Sequence, residues 1–257
     1  MNTTASVVTL RIEDAVAIVT INRPEARNAV DRAVAEGLAH ATEAVENEPG
    51  VRAGIVTGAG GHFCAGMDLK AFLRGEVVRI PGRGFAGITQ APLAKPWIAA
   101  VEGYALGGGF EIALACDLIV AGEDARFGLP EVKRGLVANA GGLVRLPRQM
   151  PRRIASELVL TGELVTPAWL ASHGLINRVV ASGTALDAAL ALAKQIAANG
   201  PLALKASKRV MQDSADWSSD ELFERQNLIT APVFASADAR EGATAFAEKR
   251  TPNWRGE

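Results

Sequence analysis

Short β-type runs fill the first half of the chain, and a helical period of apolar positions fills the second. Residues 7–13 and 16–22 read as two strands joined at Asp14-Ala15, a hairpin at the start of the fold. Arg23-Pro24-Glu25-Ala26-Arg27-Asn28 breaks that pattern and leads into a helix over 30–46. Its apolar positions Ala33, Val34, Leu38, Ala41 and Val45 fall near helical spacing, and Glu48-Pro49-Gly50 ends it. Further short strands are predicted at 53–57, 96–101, 117–121 and 126–128. From residue 141 helices dominate, over 141–150, 151–160, 167–172, 185–199, 201–212, 220–230 and 238–249, with one strand at 175–180. The pattern is α/β, and periodicity does not choose between a spiral of strand–helix units and a doubly wound sheet.

Between two of the strands, residues 69–92 have no period. They carry Phe72, Leu73, Val77, Ile80, Phe85 and Ile88 among scattered glycines and Pro81. Such an insert is either a lid over a site or a surface excursion with a few groups tucked onto the core. No polar linker isolates the helical end, so a boundary is placed near 184–200, giving a core of 1–195 and a helical region of 196–257.

The stretch GYALGGGFEIALACDLIVAGEDARFGLPE, residues 103–131, concentrates the candidate chemistry. Gly107, Gly108 and Gly109 stand at the mouth of a helix that is apolar except for Glu111, and Glu131 follows Pro130. Glycine lets backbone approach a ligand, and a helix N-terminus offers unpaired N–H groups to a negatively charged oxygen. Two carboxylates beside such a site suit proton transfer next to a polarised carbonyl. Each glutamate alone also reads as a helix-start carboxylate favoured by the dipole.

This stretch, together with VRAGIVTGAGGHFCAGMDL at 51–69 and EGATAFAEKR at 241–250, resembles the enoyl-CoA hydratase/isomerase family, the crotonases, across residues 12–254. The resemblance implies a spiral core of ββα units and a helical C-terminal region that assembles trimers, often paired into hexamers. It implies an acyl-CoA thioester as substrate, with coenzyme A part of that substrate and no separate cofactor. Glu111 and Glu131 match the glutamates that activate water and protonate the α-carbon, which implies enoyl-CoA hydratase activity and a place in fatty acid metabolism. Met67 and Gly108 match the backbone N–H donors of the oxyanion hole. Ala65 matches a contact to the adenine of coenzyme A; Gly66, Asp68 and Leu69 accompany it in the motif. Lys249 matches a phosphate contact made across subunits. Phe72, Phe85 and Asn139 are candidates for the acyl pocket. Val137-Ala138-Asn139 replaces the proline and glycine usual in that loop, and Asn139 reads as a turn residue or as a polar contact to substrate. Sister activities remain open: isomerisation, carnitinyl-CoA-type dehydration, or acyl-CoA or RNA binding without turnover.

Composition narrows the field. A net charge of −1, with acidic and basic residues nearly balanced, argues against a nucleic-acid or membrane-surface partner. Arg145, Arg148, Arg152 and Arg153 read as a solvated or inter-subunit face. MNTTASVV lacks a leader's basic and apolar regions, and Glu102, Glu111 and Asp117 interrupt the most apolar stretch, so a cytoplasmic protein is expected. The two cysteines, Cys64 and Cys116, read as free thiols; Cys64 reads as a small buried apolar group rather than a nucleophile paired with His62. His40, His62 and His173 lack metal-ligand spacing. Gly58-Ala-Gly-Gly61 is out of register for a nucleotide loop.

Overall fold

The computed structural model describes residues 6–257. The first five residues, on which part of the reading of the N-terminal leader rests, lie outside the described residues. β1 (Val8–Glu13) and β2 (Val16–Ile21) form the expected antiparallel hairpin, turning at Asp14 with φ 55°. A 3-10 turn at Pro24–Ala26 precedes α1 (Arg32–Asn47), which starts two residues later than expected because Asp31 caps it. The Asp31 carboxylate accepts from the Val34 N–H at 2.9 Å. β3 (Ala53–Gly58) follows.

The patternless insert has more structure than its sequence shows. It folds into α2 (Leu69–Leu73), β4 (Arg79–Ile80) and β5 (Gly84–Phe85), the two short strands forming a hairpin that pairs Arg79 with Phe85. Elements this short leave no readable period. The same reason hides β7 (Tyr104–Leu106), which lies between β6 (Trp97–Val101) and α3 (Gly108–Ala115). β8 (Leu118–Gly122), β9 (Arg126–Gly128) and a 3-10 turn at Pro130–Arg134 complete the central part.

The helices α4 (Gly142–Gln149), α5 (Arg152–Thr161) and α6 (Pro167–Ser172) follow, near their expected bounds. The strand expected at 175–180 shortens to β10 (Arg178–Val180). Leu175 and Ile176 turn into the core, and the Asn177 side chain accepts from the Ile119 N–H at 2.8 Å. The chain ends in α7 (Ala185–Ala197), α8 (Pro201–Asp213), α9 (Leu222–Phe234) and α10 (Ala237–Glu248).

β1-β2-β3-β6-β8-β10 form one sheet, parallel throughout except for the first pair, while β7 and β9 pair in parallel in a second, inner layer. Cys64 bridges Ala105 and so extends that inner layer. Two outer strands feed a short inner strand and then a helix, in β6–β7–α3 and β8–β9–α4. Strand alternation splits the core in two. Ala17, Val19, Ile21, Val56, Ala99 and Val101 face the inner layer. Val16, Ile18, Ile55, Ile98, Ala100 and Val120 face α7, which meets them with Ala185, Ala189, Ala193 and Ala197 at four-residue spacing. Small side chains let the helix lie close to the sheet. A boundary at 195/196 would cut the last turn of α7, whose packing on the sheet continues to Ala197.

Asn28, a residue the sequence pattern does not single out, ties the first loop to the third strand's end. It is fully buried with φ 57°; its amide donates to the carbonyls of Ala59 (2.8 Å) and His62 (2.6 Å), and its Oδ1 accepts from the Arg23 N–H (2.9 Å). Asn28→Ala leaves these buried groups unpaired, so stability should fall by about 2–4 kcal/mol. The urea midpoint measures this, and an unchanged midpoint would mean that water replaces the amide.

Candidate active site

Three consecutive glycines bring a helix N-terminus against the inner layer. Gly107 takes φ 53°, and a Cβ there would lie 3.0 Å from Glu131 Oε1. On Gly108 a Cβ would meet the Phe85 ring at 2.5 Å, and on Gly109 the Cys64 carbonyl at 2.1 Å. The run is therefore a matter of space as much as conformation. As the first residue of α3, Gly108 has an N–H with no intrahelical acceptor.

The second candidate N–H belongs to Met67. Val30 pairs with Met67 by donating to the Gly66 carbonyl (2.8 Å) and accepting from the Asp68 N–H (2.9 Å). That parallel bridge turns the Met67 N–H the other way, and it has no acceptor among the described residues. Gly66 has φ 94°, and a Cβ there would lie 3.3 Å from Gly108 N, so the two donor-bearing segments are in contact. Asp68 holds the loop: its carboxylate accepts from the N–H groups of Lys70 (2.9 Å) and Ala71 (3.2 Å) and from Arg23 Nη1 (2.8 Å). Arg23 also faces Asp31 at 3.4 Å.

Glu111 is 3% exposed. Its Oε1 accepts from the N–H groups of Ala140 (2.7 Å) and Gly142 (2.8 Å). Burial raises its pKa, and these two N–H groups and the charges of Arg79 and Arg145 offset that rise only in part. Glu131 is placed differently. Its Oε2 is buried without a hydrogen-bond partner among the described residues. Burial, opposed by its own backbone N–H and by Arg134 but reinforced by the Glu111 charge, pushes it up to about 7. One carboxylate is held by donors, and the other is left where its neutral form is favoured.

The remaining candidates divide. Phe85 is buried under Gly108, whereas Phe72 and Leu69 are 46% and 42% exposed on α2. Ala65 is half-buried and donates to the Arg27 carbonyl at 3.0 Å; the Arg27 guanidinium lies 5.4 Å from the centre of the Tyr104 ring. Asn139 is exposed and does not adopt the left-handed conformation of a turn residue; that role falls to Gly141, with φ 121°. Lys249 is the left-handed C-cap of α10, and within one chain nothing joins it to the other candidates.

Arg145 corrects the reading of a solvated basic run. It is half-buried, reaches the carbonyls of Thr89 and Ala140, and acts on Glu111. Arg79, Arg145 and the two N–H groups on Glu111 escaped the sequence reading, because neither arginine lies in a motif and N–H donors carry no residue type. Burial pushes the thiols of Cys64 and Cys116 up to about 12, so neither offers a thiolate at neutral pH. His62 stacks on Tyr104 at 5.0 Å rather than pairing with Cys64. Among the described residues no His, Cys, Asp and Glu cluster could hold a metal, and no helix is long and apolar enough to cross a membrane. A cavity of about 1040 Å³ lies between α3, α4, α8 and α9 and is lined by neither glutamate.

Comparison with known proteins accounts for this layout. A family model described as enoyl-CoA hydratase/isomerase matches residues 11–257. Enoyl-CoA hydratase EchA19 of Mycobacterium tuberculosis is 45% identical over 248 residues, 92% of each chain. A carnitinyl-CoA dehydratase of Salmonella arizonae is 43% identical over 93% of this chain and 94% of its own. The crystal structure of an enoyl-CoA hydratase from Mycobacterium tuberculosis H37Rv superposes with a TM-score of 0.97 at 55% identity, covering 98% of this chain and all of that one. The chain belongs to the enoyl-CoA hydratase/isomerase family, and its fold is the expected crotonase fold.

The raised Glu131 pKa has a consequence for stability. A carboxyl raised from the ordinary 4.5 to about 7 favours the fold while protonated, and that contribution is lost as pH rises through about 7. Glu131→Gln never ionises, so its Tm should exceed the wild type's at pH 8 and converge with it below about pH 4.5. A Tm difference that does not grow with pH would place Glu131 in a more solvated setting.

Proposed function

We propose that the protein is an enoyl-CoA hydratase, adding water to 2-enoyl-CoA thioesters to give 3-hydroxyacyl-CoA. The observation that carries this reading is the unequal treatment of the two glutamates. The thioester oxygen is taken by the N–H groups of Met67 and Gly108, whose donors stabilise the enolate charge that develops on attack. Glu111, with Oε1 committed to Ala140 and Gly142, directs its other oxygen at a water. That water's oxygen bonds to C3 while its proton passes to Glu111. Protonated Glu131 gives its proton to C2, and solvent returns the proton from Glu111 to Glu131. Coenzyme A enters as part of the substrate, and the reading assigns no other cofactor. Lyase-type chemistry on acyl-CoA thioesters accords with the family and with the names of the relatives.

Dehydration of a carnitinyl-CoA-type substrate is a second reading, favoured by the 43% identity to a protein of that name and by the exposed Asn139 at the loop. It uses the same groups in reverse. Absorbance of the conjugated thioester, followed across enoyl-CoA chain lengths and with carnitinyl-CoA, separates the two. Under either reading Glu111→Gln and Glu131→Gln should each lower kcat by at least about 10², with the fold retained. Near-wild-type turnover of a folded variant removes that residue from the mechanism.

We also propose that the active form is a trimer or a hexamer. α9 buries no residue in the single chain, and Phe223, Leu228, Phe234 and Phe246 are 72–87% exposed. Apolar faces of this kind are covered in stable proteins. In such an assembly Lys249 has a neighbouring subunit's substrate to reach. Light scattering at micromolar concentration should give three or six chains, and Phe223→Asp with Phe234→Asp should lower that mass. A monomeric wild type rules the assembly out.

A further inference from the structure

One peptide group lies between a guanidinium and the Glu111 carboxylate. The N–H of Ala140 donates to Glu111 Oε1 at 2.7 Å, and the C=O of the same peptide, that of Asn139, accepts from Arg79 Nη2 at 2.7 Å. The C=O and N–H of a trans peptide point in opposite directions in one plane. A cation on the oxygen and an anion on the hydrogen are therefore both aligned with its dipole, and each hydrogen bond polarises the other. The turn is gripped a second time by Arg145, whose Nη1 lies 3.5 Å from the Ala140 carbonyl. A Cβ on Gly141 would lie 2.0 Å from that nitrogen, so only glycine leaves the arginine its place.

Arg79 comes from the β4–β5 hairpin, and its partner across that hairpin is Phe85. Phe85 packs against Gly108, one of the proposed oxyanion donors. The hairpin therefore touches both halves of the site, at its oxyanion edge through an aromatic ring and at its carboxylate edge through a charge. Arg79 is itself exposed and makes no other hydrogen bond among the described residues, so it has little packing to contribute.

We propose that Arg79 is a positioning residue for the reaction: through the 139–140 peptide it fixes the donor that holds Glu111 in its ionised, water-directing orientation. The inference rests on Glu111 being the water-activating carboxylate. The charged groups that face Glu111 are Arg79 from β4, Arg145 from α4 and Glu131 from the Pro130–Arg134 turn. Of these, Arg79 is the one that can be removed without opening a buried cavity.

The experiment compares Arg79→Met, Arg79→Lys and Glu111→Gln in the full-length enzyme, measuring kcat and KM from pH 5 to 9 on an active enoyl-CoA, with Tm as a check on folding. Loss of a nearby cation raises a carboxylate's pKa, so the acidic limb of kcat in Arg79→Met should move up by about half to one unit. kcat at neutral pH should fall about tenfold with KM changed less than about twofold, since the peptide donor acts on the reacting group rather than on the thioester's binding. Arg79→Lys keeps the charge and one donor and should recover most of both. If Arg79→Met does not fold, Arg79→Gln carries the same comparison.

An unshifted limb with unchanged kcat, while Glu111→Gln is inactive, overturns the inference and leaves the functional reading intact. A raised KM at unchanged kcat also overturns it, because Arg79 is then a substrate contact. Full activity in Glu111→Gln overturns the functional reading and the inference with it.

Discussion

Burying the Glu111 carboxylate is the constraint around which the central part of this protein is arranged. A carboxylate 3% exposed is costly unless donors surround it. α3 is apolar around it and offers no donor side chain, so compensation comes from another segment, the 139–142 turn. That turn can present two N–H groups to one oxygen only with Gly141 at φ 121° and with its carbonyls directed elsewhere. Arg79 and Arg145 donate to those carbonyls. The helix, the turn, the hairpin and α4 are thus fixed relative to one another by one charge.

Glu131 shows the opposite solution. It is buried close to Gly107 with an unpartnered oxygen, and the Glu111 charge adds to the effect of that burial, so its proton is retained near neutrality. On the proposed mechanism this is useful: burial keeps the acid loaded, and the Glu111 charge adds to it. The cost falls on stability above pH 7, where Glu131 loses the proton that its surroundings favour.

The sequence made legible what depends on residue type and pattern. The three glycines are visible because only glycine fits beside Phe85 and the Cys64 carbonyl, Glu111 because it is the one charge in an apolar helix, and the central strands because burial of both faces leaves short continuous apolar runs. What it left hidden depends on backbone groups or on distant pairing. The Ala140 N–H looks like any other in the sequence, and Arg79 meets Asn139 from 60 residues away. Adjacency in sequence groups Arg145 with Arg148, Arg152 and Arg153, yet helical geometry turns it toward Thr89 and Glu111 while Arg148 pairs with exposed Asp216. The insert at 69–92 was readable as either a lid or an excursion. Its hairpin buries Phe85 against the site, while Leu73 and Val77 ahead of the hairpin stay exposed, so the insert shares features of both.

On the proposed reading, chemistry and selectivity fall to different parts of this arrangement. The proposed oxyanion donors are backbone N–H groups, set by the Val30 bridge and by the start of α3, and they survive changes of side chain at Met67. Met67 and the exposed Phe72 and Asn139 can vary in size and polarity without removing either donor, whereas the buried Phe85 packs on Gly108 and is held to a ring that fits there. On the proposed reading, acyl preference changes by substitution around a fixed hole, and the reaction changes by altering the glutamates or the turn that holds Glu111. The Val137-Ala138-Asn139 loop is therefore the segment to watch: it leads directly into that turn, so a change there acts on the shape of the pocket and on the carboxylate together.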